Sequence, residues 1–217
     1  MPVSGNVLVV EGKDDLHSVV SLMKAHVPWP EGRMDVPVGI RHPDPGGKDA
    51  ILAEGYLIGL LKERRLRTLG VMLDADNDAQ GCHGRIRHRC SAVIPNIPMG
   101  LPAGGLIVER DDDHPRFGVW VMPDNTSHGD LETFLRYLVP DSAEPVWAHA
   151  VHATTRAREL GAGYREAHLA KARIHTWLAW QDPPGKPFGL ALTEQLFDRR
   201  SPKADPFVRW FRQLYGL

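Results

Sequence analysis

Short apolar runs recur along this chain, each stopped by turn formers and followed by a polar stretch with apolar residues at helical spacing. Residues 6–10 read as a first strand. A helix is expected over 14–26, with Leu16, Val19, Val20 and Met23 in helical phase, and Pro28 and Pro30 end it. Residues 34–38 suggest a second strand, and the Pro- and Gly-rich segment 41–48 a loop. A helix carrying Ile51, Leu52, Tyr56, Leu60 and Leu61 is expected from Asp49 onward. Residues 67–73 read as the next strand. The segment 79–105 gives no clear period: a basic run (Arg85, Arg87, His88, Arg89) leads into Pro95, Pro98 and Pro102. Residues 106–109 and 117–122 flank Asp111-Asp112-Asp113-His114-Pro115, the pattern of a hairpin with a solvated tip. A helix over 131–138 follows, and beyond Pro140 and Pro145 the strand pattern gives way to helices near 146–160, 165–181, 188–197 and 205–215.

Strands alternating with helices and then helices alone predict an α/β domain over residues 1–140 with a mainly parallel sheet. A helical C-terminal extension over 141–217 is expected to pack on it. Hydrophobic content of 42% with 24% charged residues suits a water-soluble globular chain of 217 residues. No apolar stretch reaches membrane-spanning length, and Cys82 and Cys90 alone make no disulfide scaffold, so a cytoplasmic setting without membrane attachment is expected. The net charge of −1 hides an asymmetry. Residues 1–150 carry 15 Lys/Arg against 21 Asp/Glu, and residues 151–217 carry 11 against 6. An acidic half beside a basic half suits a metal site paired with a polyanion-facing surface.

The chemistry lies where three apolar runs stop. Leu8-Val9-Val10 runs into Glu11-Gly12-Lys13-Asp14-Asp15, and Val71-Met72-Leu73 into Asp74-Ala75-Asp76-Asn77-Asp78. Val119-Trp120-Val121-Met122 runs into Pro123-Asp124-Asn125, with Gly129-Asp130-Leu131-Glu132 just beyond. Parallel strands present their carboxyl ends at one sheet edge, so the three clusters are expected to converge. Converging carboxylates raise one another's pKa unless a cation neutralises them, and hard oxygen donors suit Mg²⁺ or Mn²⁺. A carboxylate after a strand also serves as a plain turn or helix-cap residue, the ordinary role for Asp14 or Asp78.

These residues resemble the Toprim domain, shared by topoisomerases, DnaG-type primases, small recombination proteins and the overcoming-lysogenization-defect (OLD) nucleases. The carriers are Glu11 in its Glu-Gly-x-x-Asp context and the Asp74-x-Asp76 pair. The third cluster, with Lys171-Ala-Arg173-Ile-His175-Thr-Trp177 and Pro184-Gly185, looks like small stand-alone Toprim proteins near the OLD group. Asp130 and Thr133 depart from that pattern, which has an apolar residue and an acid at those places. The resemblance implies a nuclease hydrolysing phosphodiesters with one or two Mg²⁺ or Mn²⁺ ions. Glu11 would be metal ligand or general base, Asp74 and Asp76 would hold metal, and Asp124, Asp130 or Glu132 would complete a second position. Lys171 would stabilise the charge of the transition state, with Lys13, Arg173 and His175 as substrate contacts. Lys171 shares a helix stripe with Ala167, Ile174 and Leu178, and either faces protein or snorkels from it. The implied partner is nucleic acid, DNA in preference to RNA, with a partner ATPase as a further candidate. A non-catalytic module binding nucleic acid, nucleotide or such an ATPase is the alternative.

Other patterns rank below this one. Gly46-Gly47-Lys48-Asp49 lacks the residues of a Walker A loop and reads as a helix start. Cys82, His83, His88 and Cys90 do not have a standard zinc spacing. Trp177, Trp180, Phe207, Trp210 and Phe211 read as helical core rather than a base-stacking platform.

Overall fold

The strand segments are apolar at nearly every position, which is what a sheet covered on both faces requires. The computed structural model describes residues 5–30, 36–109, 111 and 114–217. Strands β1 (Asn6–Val9), β2 (Gly39–Arg41), β3 (Thr68–Asp74), β4 (Leu106–Val108) and β5 (Arg116–Met122) form one sheet in the order β2-β1-β3-β5-β4. All neighbours are parallel except the edge strand β4, which runs antiparallel to β5. The carboxyl ends of β1, β3 and β5, each followed by an acidic cluster, therefore share one edge.

Side chains alternate across this sheet. Val7, Val9, Leu69, Val71, Leu73, Phe117, Val119 and Val121 face α2 (Lys48–Ile51), α3 (Tyr56–Leu61) and α4 (Ala79–Cys90). Leu8, Met72, Trp120 and Met122 face the other layer. That layer holds α1 (Lys13–Met23), α5 (Leu131–Arg136), α6 (Glu144–Glu159), α7 (Leu169–Ala179), α8 (Phe188–Thr193) and α9 (Asp205–Tyr215). The helices beyond residue 140 bury Trp177, Phe207, Trp210 and Leu214 in the same cluster as Leu8 and Trp120. The fold is thus α/β, a mostly parallel sheet flanked by helices with a helical C-terminal portion packed on it, and is compatible with a Toprim-like architecture. No helix among the described residues is long and apolar enough to cross a membrane.

Helix α9 lies unusually close to the sheet, and the sequence shows why. Gly70 and Gly118 are in register on adjacent strands. A Cβ added at Gly118 would stand 2.6 Å from Leu214 Cδ2, and one at Gly70 would meet the Tyr215 hydroxyl. The paired glycines leave a trough into which the helix settles. Tyr215 donates its hydroxyl to the Val7 carbonyl at 2.9 Å, and Trp210 Nε1 donates to the Leu106 carbonyl at 3.0 Å. Trp120 packs edge-on against Phe207, with centroids 5.3 Å apart, and 5.6 Å from Trp210.

Four expectations change. The second strand lies at Gly39–Arg41 rather than 34–38. Pro37 has no N–H to give a ladder, and residues 34 and 35 fall outside the described residues. The helix expected from Asp49 is two short ones, α2 and α3. The unreadable stretch after Asp78 begins with a full helix, α4, whose buried stripe is Ala79, Cys82, His83, Ile86 and Cys90. Trp180 is no core residue: it is 45% exposed and stacks on His149 at 5.1 Å. The hairpin joining β4 to β5 is present, although Asp112 and Asp113 of its tip lie outside the described residues.

Candidate metal centre

Glu11 follows β1 directly and is fixed by backbone donors from two directions. Its Oε1 accepts from the Asp74 amide at 2.9 Å and its Oε2 from the Lys48 amide at 3.1 Å. The Gly47 amide donates to the Glu11 carbonyl at 2.8 Å. The loop can approach this closely because residue 46 is glycine, whose missing Cβ would stand 2.6 Å from that carbonyl oxygen. Glu11 is thereby clamped between the end of β3 and the start of α2.

Asp74 ends β3 beside it. Its Oδ1 is buried with no hydrogen-bond partner. Burial, then Glu11, Asp15, Asp130 and Glu132 in falling order, hold the Asp74 carboxyl well above the usual carboxylate range. Glu11 is also raised, by burial first, although the Asp74 amide and Lys48 counter this. Asp15, in the first turn of α1, is buried and accepts from the Gly12 amide at 2.9 Å. Burial and the neighbouring Glu11 push it up to about 7. The mutual repulsion expected of converging carboxylates is therefore present at Glu11 and Asp74.

The third cluster reaches this edge through backbone. Asp76 donates its amide to the Gly129 carbonyl at 2.9 Å, and Gly129 returns the bond to the Asp76 carbonyl at 2.8 Å. Asp76 sits at φ 50°, a left-handed conformation that Asp tolerates better than most residues. Its side chain turns to Lys48, whose Nζ stands 2.5 Å from Asp76 Oδ2. Past Gly129, Asp130 caps α5 and accepts from the Thr133 amide at 2.9 Å and its hydroxyl at 2.7 Å. Thr133, where the Toprim-like pattern has an acid, is thus the capping partner of Asp130. Glu132 is buried, and its Oε1 lies 3.1 Å from the Lys171 ammonium on α7. Burial opposes the charge on Lys171, but Glu132, with Asp14 and Asp130 behind it, raises its pKa overall.

Glu11, Lys13, Asp15, Asp74, Glu132 and Lys171 stand in the wall of one open cleft of about 640 Å³. Five residues assigned from the sequence do not line it: Asp76 and Asp130, engaged by Lys48 and Thr133, and Asp124, Arg173 and His175. Asp124 closes a turn of its own, accepting from the Thr126 and Ser127 amides at 3.0 and 2.7 Å and from the Tyr137 hydroxyl at 2.9 Å. Its part burial would raise its pKa, but these donors outweigh that and bring it down to about 2. His175 stacks on Phe188 with centroids 5.0 Å apart, and Arg173 is half-buried with an unpartnered Nε. Their substrate contacts and a metal role for Asp124 find no support in this arrangement. Cys82 and Cys90 are buried thiols, pushed by burial to about 11 and 12, and belong to the α4 core stripe rather than a zinc site.

Two residues of the centre were given no role from the sequence. Asp15 is in phase with Val19 and Leu22, so its place on the buried face of α1 was legible in the spacing. Lys48 carried no such signal, because its approach to Asp76 depends on how the loop before α2 folds. Among the described residues, no group of three or more His, Cys, Asp or Glu side chains stands arranged to hold a metal ion. The donor set nonetheless fits one: hard oxygens, mutual repulsion at Glu11 and Asp74, and a buried Asp74 Oδ1 that nothing else satisfies.

No curated protein and no solved structure matches the chain. A family profile described as a protein of unknown function (DUF3226) matches residues 5–216, nearly the whole length, and the chain belongs to that family.

Proposed function

We propose that this protein is a Toprim-type, metal-dependent nuclease that hydrolyses phosphodiesters of nucleic acid, DNA in preference to RNA, with Mg²⁺ or Mn²⁺. The observation that carries this reading is the shared cleft. Glu11 and Asp74 stand side by side at the ends of two adjacent parallel strands, and the Lys171 ammonium lines the same wall. Glu11 and Asp74 would hold the cation; Glu132, in the same cleft wall, and Asp76, once released by Lys48, would extend the set to a second ion. Such a cation polarises a phosphoryl oxygen and offsets charge on the attacking and leaving oxygens.

The protein's own part is mostly positioning. Glu11 has both carboxylate oxygens held by backbone amides, which suits a fixed ligand better than a base that must release a proton. Glu132 orients the Lys171 ammonium into the cleft, where it would stabilise negative charge building on the phosphoryl oxygens as water attacks and the ester bond breaks. Lys13, exposed at the cleft mouth, would contact an approaching phosphate.

The test is cleavage of supercoiled, linear and single-stranded substrates with Mg²⁺, Mn²⁺ or EDTA. Cleavage that needs the metal and disappears in Asp74→Asn is the expected result. Metal-independent cleavage, or cleavage unchanged in Asp74→Asn, overturns the reading. A second reading, a non-catalytic module that binds nucleic acid, nucleotide or a partner ATPase, is favoured by one observation: Asp76 is already engaged by Lys48. Metal-dependent binding without turnover would select it.

A further inference from the structure

Lys48 is the least expected residue of the cleft region. Its side chain is only 10% exposed, while its partner Asp76 is 67% exposed. A buried ammonium is costly unless carboxylates compensate it. Here the compensation comes from Asp76 at 2.5 Å and, through space, from Glu11. The backbone of Lys48 is tied to the same centre independently, its amide donating to Glu11 Oε2. The ammonium can therefore leave Asp76 by side-chain rotation alone, while the amide keeps Glu11 in place. Asp76 is equally prepared to exchange partners. Its backbone is pinned by the double bond to Gly129 and only its exposed carboxylate needs to turn.

We propose that Lys48 is a resident counter-ion of the acidic centre: its ammonium holds Asp76 and compensates Glu11 until a divalent cation arrives beside Asp74 and takes Asp76 from it. This rests on the reading above that the carboxylates bind a divalent cation, and adds that the cation must compete with a charge built into the chain. The competition makes cation affinity weaker than the bare carboxylates would give and gives Glu11 and Asp76 a positive partner in the metal-free protein. A released ammonium would then face an anionic substrate rather than a carboxylate.

Mn²⁺ binding followed by the paramagnetic resonance of the free ion tests this on the intact protein. Lys48→Met keeps the length and the amide but removes the charge, and should tighten the dissociation constant by roughly tenfold. Lys48→Arg keeps the charge and should stay close to wild type. Binding by wild type with no tightening in Lys48→Met overturns the counter-ion role and leaves the metal site standing. Binding by neither wild type nor Lys48→Met overturns both. If Lys48→Met does not fold, the wild-type chain still decides: the ¹⁵N resonance of the Lys48 ammonium must move as Mg²⁺ is added. A resonance that stays fixed while the metal binds overturns the proposal.

Discussion

Asp74 carries an energetic conflict, a carboxylate enclosed beside Glu11 and Asp15 with one oxygen left unpartnered. A divalent cation at about a hundred times its dissociation constant stabilises a folded chain by about 2.7 kcal/mol, which for a chain of this size raises the melting temperature by roughly 5–10 °C. Wild type should show this shift in a thermal melt with Mg²⁺. Asp74→Asn should lose it, while melting no lower than wild type without metal, because the repulsion has gone. Asp124 behaves in the opposite sense. Its folded pKa of about 2 lies below its ordinary value of 3.8, so its hydrogen bonds stabilise the fold above that value and the contribution fades as pH falls toward 2. Asp124→Ala should cost about 1 kcal/mol at neutral pH, and denaturant melts at successive pH values should show the gap closing near pH 2. At this scale the sequence was informative wherever a residue's place followed from its strand. Glu11 and Asp74 were legible for that reason. Asp124 shares the same strand-end signature, and only the amides of Thr126 and Ser127 reveal it as a turn residue.

Helices α4 and α7 show what periodicity does and does not transmit. The core stripe of α4 uses two cysteines and a buried histidine in place of leucines, and its exposed face is basic, so no apolar period stood out. Its start was marked instead by Asp78, which caps the helix by accepting from the Gly81 amide at 2.8 Å. Asp78→Ala should destabilise the protein by about 1 kcal/mol, read as a lowered midpoint in urea with an unchanged slope. In α7 the apolar period was plain, and it left the direction of Lys171 open between protein and water. The structure gives both: the ammonium is half-exposed, at the cleft wall, and ion-paired to buried Glu132. A charge that stabilises a transition state more than bound substrate is lost from kcat rather than from KM. Under the proposed nuclease reading, Lys171→Ala should lower kcat by about 10²–10³ with KM little changed, in the same cleavage assay with saturating Mg²⁺.

Across the whole molecule, sheet topology was readable from the order of strands and helices, but the closure of the fold was not. Nothing in the local pattern says that α9 returns to cover β3, β4 and β5. That depends on Gly70 and Gly118 meeting in register, a coincidence between segments far apart in sequence. Tyr215→Phe removes the hydroxyl that reaches Val7 and leaves a buried carbonyl short of its partner, so a loss of about 1–2 kcal/mol is expected. Gly118→Val should be far worse, because a branched side chain would collide with Leu214 and lift the helix from its trough. The trough also has a meaning for biosynthesis. A nascent chain that has displayed every strand still shows the apolar floor around Leu8 and Trp120, because α9, which helps to cover it, is synthesised after all five strands. Translation that stalls before residue 205 would release a polypeptide with its acidic strand ends complete in sequence and its hydrophobic underside open, a natural target for quality-control proteases.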